Sequence, residues 1–519
     1  MVTEKITSKK QLDVAFASAL PSLGLIFGHV FMWSNNLHMY DTPSILFSLM
    51  TIIVISLVLF FLNFYISTYL FNRFAYNTTI NIFFYLYIAL SFVFFAFSII
   101  DYTHIIYKNK LWSPILTISF FILLYRIGPK PIACFTSVML FLTIINFSIN
   151  LVNDITNNEN FTTRKTSIVL KSKPNIYLYW LESYHDFEIM KKFYGLNNDK
   201  YKKYLLDNNF TIQEQTYSSG WYTLMSFGQL YSCSDNIIKH LRTKHLDANK
   251  SVRNLIGGDK NNYVLKTLKE NGYMNFFITE GRYYYTRNKG EYLDEIDLDL
   301  GMTKLLYPIR AISYFKSILA KHGFVELMFP YKSNTDVYKG DLFNRLKIAM
   351  ERGSASGKPY FISFKGGSCH SPSNHVWKDR QKWIDSEIYQ KRTIASDNES
   401  ISIINHILKN DQNALIILIG DHGAGSYRHF PYNKSESFTK YDVSPKDIAD
   451  DFFRVFFAWH LPKGIHDDIS HGMYMNNSNI FMHVFAFLSG NTNILNNREP
   501  ITSELGVIKM INGKLQPLP

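Results

Sequence analysis

Between positions 42 and 100 the chain carries a single charged side chain, Arg73, although 18% of its 519 residues are charged overall. A water-facing fold cannot leave that much apolar sequence uncovered without exposing large hydrophobic patches. The abundance of aromatic residues, 16% of the total, argues equally against disorder. A membrane-embedded segment followed by a water-facing domain satisfies both constraints. About 20 mostly apolar residues cross ~30 Å of hydrocarbon. Five stretches meet or approach that length: 14–33, 44–67, 80–100, 111–125 and 131–152. Pro21 in the first is tolerable where neighbouring helices satisfy the carbonyl it frees. Ala17-Ser18-Ala19 has the form of a cleavage site but precedes most of its apolar run, so the first span is expected to be retained.

Basic residues set the expected orientation. Lys5, Lys9 and Lys10 precede the first span, Arg73 follows the second, and Arg126 and Lys130 follow the fourth. The positive-inside rule then puts the N-terminus in the cytoplasm, and five crossings put the rest of the chain outside. Residues 1–152 are thus expected to form a helical transmembrane domain. Residues 153–173 read as a juxtamembrane linker and 174–519 as an extracytoplasmic domain. Cys233 and Cys369 fall in that domain, where an oxidising compartment would permit a bridge between them.

From Pro174 the pattern changes to short apolar runs separated by charged, helix-like stretches. Runs 175–181, 274–279, 360–364, 414–420 and 454–459 read as buried strands, and 261–271 and 396–409 as helices. Such alternation predicts an α/β domain with a mainly parallel sheet covered on both faces. Ligands of such sheets bind beyond the carboxyl ends of the strands. Glu182 follows the first run directly, Asp421 and His422 follow the fourth, and His370 lies shortly past the third. A carboxylate, an Asp-His pair and a hydroxyl would make a hard-to-borderline donor set suited to Zn²⁺ or Mn²⁺. Leu224, Phe227 and Leu230 recur at helical spacing, which puts Thr223 near a helix start, where an anion or an ionising hydroxyl is favoured. Read alone, Glu182 also suits a helix cap, and Ser219 and Thr223 suit capping residues.

Four motifs occur in one order: Pro174-Asn175 with Leu181-Glu182-Ser183; Thr223-x-x-Ser226 with Leu230-Tyr231-Ser232; Gly367-Ser368-Cys369-His370-Ser371-Pro372; and Gly420-Asp421-His422-Gly423. With the anchor, they resemble the membrane-anchored branch of the alkaline phosphatase/sulfatase superfamily, which holds phosphoethanolamine transferases and lipoteichoic acid synthases. The resemblance implies a divalent metal, Zn preferred and Mn as the alternative, held by Glu182, Thr223, Asp421 and His422. It implies that Thr223 is the nucleophile that takes up the phospho-headgroup and that His370 steadies the phosphate. His375, His429 and Arg282 are further candidates for substrate binding. The implied reaction moves a phospholipid headgroup, phosphoethanolamine preferred, to a surface glycan or lipid A at a bacterial cytoplasmic membrane. A basic chain, +12 overall, suits anionic lipids and glycans, and no nucleic-acid partner is expected.

The chain departs from this pattern in two ways. It has three cysteines in all, where phosphoethanolamine transferases usually carry several disulfides. Its histidine motif reads Gly-Ser-Cys-His-Ser-Pro in place of Gly-Ser-His-Gly-Pro. Leu181-Glu182-Ser183 is nearer the lipoteichoic acid branch and Thr223-x-x-Ser226 nearer the phosphoethanolamine branch, so a phosphoglycerol transferase using phosphatidylglycerol is the alternative. A sulfatase-like hydrolase would need Cys or Ser in a Cys/Ser-x-Pro-x-Arg motif, which is missing near Thr223. A non-catalytic glycan-export module would not need the four metal residues to converge.

Overall fold

The structure, a computed structural model, describes residues 129–156, 167–234 (save 219 and 221), 247–278, 289–297, 335–369 (save 368), 387–424, 444–463, 475–497 and the strands of 502–517, together with helical residues scattered through 13–30, 50–69, 86–88 and 119–127. It divides into two compact units, Met1–Asn158 with Leu300–Ser333, and Glu159–Asp299 with Asn334–Pro519.

In the first unit, helix α1 (Pro129–Thr156) contains an apolar stretch, Pro129–Val152, long enough to cross a membrane. It coincides with the expected fifth span. Phe135, Val138, Phe141, Leu142 and Ile149 are exposed along it, as a lipid-facing helix requires. Two of its hydroxyls are satisfied within the helix: Thr136 donates to the Ile132 carbonyl and Thr143 to the Met139 carbonyl, both at 2.8 Å. Ile132 and Ala133 pack with Ala17, Leu20 and Ile88. Among the described residues this is the one helix that meets both length and hydropathy criteria, and much of the other four expected spans lies outside those residues. The helix also runs to Thr156, a few residues into the expected linker. Ile168 and Leu170, also assigned to that linker, are buried in the core of the second unit, where the Leu170 N–H donates to Asn271 Oδ1 at 2.8 Å.

The second unit is built on a seven-stranded sheet, order β2-β9-β7-β1-β6-β4-β5. The strands are β1 (Ile176–Leu181), β2 (Phe210–Ile212), β4 (Met274–Ile278), β5 (Glu295–Asp297), β6 (Tyr360–Gly366), β7 (Leu415–Gly420) and β9 (Phe457–His460). β1 pairs in parallel with β6 and β7, and β4 in parallel with β5 and β6. β9 pairs antiparallel with β2 and β7, so it alone runs against the rest.

Every side chain of β1 and of β7 is buried. Their alternate residues enter two different cores, as a period of two demands. Ile176, Leu178, Trp180, Ile417 and Ile419 pack on one face with helices α3 (Thr223–Ser232), α4 (Tyr263–Glu270) and α7 (Ile480–Ser489). Tyr177, Tyr179, Leu181, Ile416 and Leu418 pack on the other with α2 (Phe187–Tyr194), α5 (Thr335–Ala355) and α6 (Glu387–Asn410).

The run 454–459, read as one strand, is two. β8 (Arg454–Val455) joins β3 (Thr216–Tyr217) and β10 (Met475–Asn476) in a small second sheet, and β9 joins the large one. Phe456 makes the transfer: its N–H donates to Tyr184 O at 3.2 Å and its carbonyl accepts from Gly420 N–H at 2.8 Å. A third sheet of β11 (Thr502–Leu505), β12 (Ile508–Ile511) and β13 (Lys514–Pro517) is an antiparallel meander.

Candidate active site at the carboxyl edge of the sheet

The register fixes which strand ends meet. Leu181 is level with Gly366 on one side and with Gly420 on the other. Glu182 and Asp421 therefore leave neighbouring strands at the same height. Alternation sends Glu182, Asp421 and Lys365 toward the face that α3 covers, since Trp180 and Ile419 point there.

Asp421 is fully buried, and its two carboxylate oxygens have different partners. Oδ1 accepts the Ser183 and His422 backbone N–H groups, both at 2.8 Å. Oδ2 accepts the Thr223 hydroxyl at 2.7 Å. Ser183 reaches Asp421 from a left-handed conformation with φ 57°, a strained position for a residue with a Cβ. The His422 Nδ1 lies 2.7 Å from the Gly423 carbonyl, which can only accept, so Nδ1 carries the proton. In the neutral ring this leaves a lone pair on Nε2, which lies 3.4 Å from Thr223 Oγ1 and 3.5 Å from Asp421 Oδ2.

Thr223 is the first residue of α3 and is buried there, after Tyr222 in an extended conformation. Its hydroxyl thus stands at the positive end of the helix dipole. The preceding loop is pinned by Ser218, whose hydroxyl donates to the Gly220 carbonyl at 2.7 Å and accepts from Ser226 at 2.8 Å. Asn477 spans from this loop to the Asp421 strand: its Nδ2 donates to Ser218 Oγ at 3.3 Å and to the Asp421 carbonyl at 3.4 Å.

The loop bearing Asp421 and His422 is held from behind. A Cβ on Gly423 would fall 1.9 Å from the Asp451 carbonyl and 2.5 Å from His185 Cε1, so only glycine fits. His185, fully buried, donates from Nδ1 to the Arg454 carbonyl at 2.9 Å and accepts the Ala424 N–H on Nε2 at 3.0 Å. Tyr194 donates to Asp451 beside it at 2.7 Å.

Glu182 sits at the edge of this group with its Oε2 2.6 Å from Lys365 Nζ. Cys369, in the loop that follows β6, is buried, and burial pushes its thiol up to about 12. Cys233 and Cys369 are both free, so no bridge joins them. Behind that loop Asp397 accepts a hydrogen bond from the Tyr184 hydroxyl, and burial raises its carboxyl to about 7.

The structure therefore brings Thr223, Asp421 and His422 together and puts Glu182 on the adjacent strand end. His370, His375, His429 and Arg282 lie outside the described residues. Among the described residues no three His, Cys, Asp or Glu side chains cluster as a metal site; the third donor beside Asp421 and His422 is a hydroxyl. These three donors still fit a small divalent ion. Tetrahedral ligands at ~2.0–2.1 Å stand ~3.3 Å apart, close to the two separations that His422 Nε2 makes. Lys365, His185 and Asn477 were not singled out from sequence. Lys365 carried one signal, a charge directly after an apolar run.

No protein-family model matches the sequence, and no curated protein matches it. Among solved structures the chain is similar to a lipoteichoic acid synthase from Listeria monocytogenes, at 16% identity over 71% of this chain and 87% of that one, with a TM-score of 0.42. It is similar to an alkaline phosphatase superfamily protein from Vibrio parahaemolyticus, at 14% identity over 71% and 88% of the two chains, with a TM-score of 0.40. It is also similar to the integral membrane lipooligosaccharide phosphoethanolamine transferase A from Neisseria meningitidis, at 13% identity over 93% and 96%, with a TM-score of 0.35.

Proposed function

We propose that this chain is a membrane-anchored phosphotransferase that moves a phospholipid headgroup, phosphoethanolamine preferred, to a surface glycan or lipid A through phospho-Thr223. One observation carries the reading. The Thr223 hydroxyl stands at a helix N-terminus, 2.7 Å from Asp421 Oδ2 and 3.4 Å from His422 Nε2. A hydroxyl that merely caps a helix needs neither partner. The four ordered sequence motifs support the same reaction class.

Thr223, Asp421, His422 and Glu182 would hold the divalent ion, Zn²⁺ or Mn²⁺. When bound, that ion supplies a lowered hydroxyl pKa and positive charge for the non-bridging phosphoryl oxygens. The chain's own groups orient the attack. Asp421 Oδ2 takes the Thr223 hydroxyl hydrogen bond and directs an oxygen lone pair outward. Bonds from two backbone N–H groups keep that carboxylate from turning. The Thr223 Oγ1–phosphorus bond forms as the phosphorus–oxygen bond to diacylglycerol breaks, and the hydroxyl proton ends on the diacylglycerol oxygen. An acceptor hydroxyl then attacks phospho-Thr223, surrenders its own proton and restores the threonine. The apolar N-terminal region fits this chemistry, because the donor stays in the bilayer. The catalytic unit then faces the extracytoplasmic side.

The test is diacylglycerol release by the purified full chain from labelled phosphatidylethanolamine and, separately, phosphatidylglycerol. Release from phosphatidylethanolamine supports the stated donor. Release from phosphatidylglycerol alone would transfer the reading to phosphoglycerol, and release from neither would refute it.

A further inference from the structure

A buried lysine normally needs a counter-charge, and where it finds one at a reaction site its charge acts on every ligand that enters. Lys365 is such a residue. It is level with Trp180 in the β1–β6 register, and its side chain leaves the sheet on the α3 face. Its ammonium reaches past the strand end to Glu182 Oε2 at 2.6 Å, with the two side chains 7% and 14% exposed. Glu182 lies two positions beyond the level of Lys365, and Asp421 leaves the neighbouring strand at the height of Glu182.

We propose that Lys365 is a substrate-binding residue that sets the charge balance of this site, weakening its hold on a divalent cation and strengthening its hold on the phosphoryl anion. The proposal rests on the reading of Glu182, Asp421 and His422 as metal ligands. Glu182 brings a negative charge that the ammonium already balances. A dication arriving at the same carboxylate meets a positive charge one hydrogen bond away. An arriving phosphoryl group, carrying its charge on oxygens, is drawn to that same ammonium. One side chain thus acts on the two ligands with opposite sign. A lysine that only braces the strand end does not act this way, because its loss loosens the site for both.

The test is a pair of titrations of the full chain in detergent, one with Zn²⁺ and one with inorganic phosphate on chelator-treated protein. Lys365→Met is expected to bind Zn²⁺ on the order of 10-fold more tightly and phosphate on the order of 10-fold more weakly, the size of effect one unit charge exerts at this range. Lys365→Arg, which keeps the charge, is expected to hold phosphate as the unmodified chain does. Weaker binding of both ligands by a folded Lys365→Met, or no change in either, overturns the proposal. Should that variant fail to fold, Glu182→Gln/Lys365→Met removes both partners of the pair. It is expected to bind phosphate more weakly than Glu182→Gln alone, and equal binding overturns the proposal. Asp421→Asn separates the two questions. Undiminished Zn²⁺ affinity there refutes the metal reading, and the phosphate arm still judges Lys365.

Discussion

The two ends of the same three strands, β1, β6 and β7, hold polar groups that behave in opposite ways. At the amino end Asn175 Nδ2 donates to Asp411 Oδ2 at 2.8 Å, and its Oδ1 accepts the Tyr360 N–H at 3.1 Å. The Tyr177 and Tyr360 hydroxyls meet at 2.7 Å, and burial raises both above the ordinary phenol value. Each of these groups is spent on tying one strand to the next. At the carboxyl end Asp421 spends one oxygen on backbone N–H groups and offers the other to a threonine hydroxyl at a helix start. The first end is a lock, and the second is a held instrument. A carboxylate in a parallel sheet therefore signals chemistry by what its second oxygen is left to do.

Gly423→Ala should break this contrast most severely. The added carbon meets the backbone carbonyl of Asp451, so the loop that carries Asp421 and His422 must shift. A displacement of ~1 Å at a reacting group costs on the order of 100-fold in rate. Overpacking should cost roughly 1–3 kcal/mol in a denaturant titration. Activity at the level of the unmodified chain would show that the loop need not be rigid.

Asp397, just behind the carboxyl end, gives a smaller, pH-dependent effect. Its folded-state value of about 7 lies above the ordinary carboxylate value of 3.8. Between those values the folded chain keeps a proton that the unfolded chain has lost. Its contribution to stability is therefore complete below the ordinary value and is lost as pH rises through about 7. Thermal unfolding across that window should show midpoints falling with pH, and Asp397→Asn should flatten the slope. An unchanged slope in the variant would remove Asp397 as its source.

Asp411→Asn, at the amino end, should have the mildest consequence. Weakening its hydrogen bonds should cost ~1 kcal/mol of stability. The proposed transferase activity should be unchanged, and a clear loss would erase the distinction between the two ends.

Much of the sheet was legible because its strands are buried on both faces and so read as unbroken apolar runs. The run ending at Gly420 gave the β7 boundary, and Leu224, Phe227 and Leu230 gave the helix that begins at Thr223. The division at Phe456 was not legible, since Arg454–Val455 and the residues from Phe457 to Trp459 are all buried and differ only in their partners. Lys365 escaped for a related reason. Its partner Glu182 follows a strand far away in sequence, and only the pairing of β1 with β6 brings the two within reach. His185 and Asn477 likewise act through backbone groups of distant loops, to which a local pattern is blind.

Whether Thr223 is the attacking group can be read by mass spectrometry of its peptide after the full chain meets phosphatidylethanolamine. A phosphoethanolamine adduct on Thr223 is expected, with matching diacylglycerol release, and neither in Thr223→Ala. Undiminished release by Thr223→Ala, or an adduct on a different residue, would contradict it.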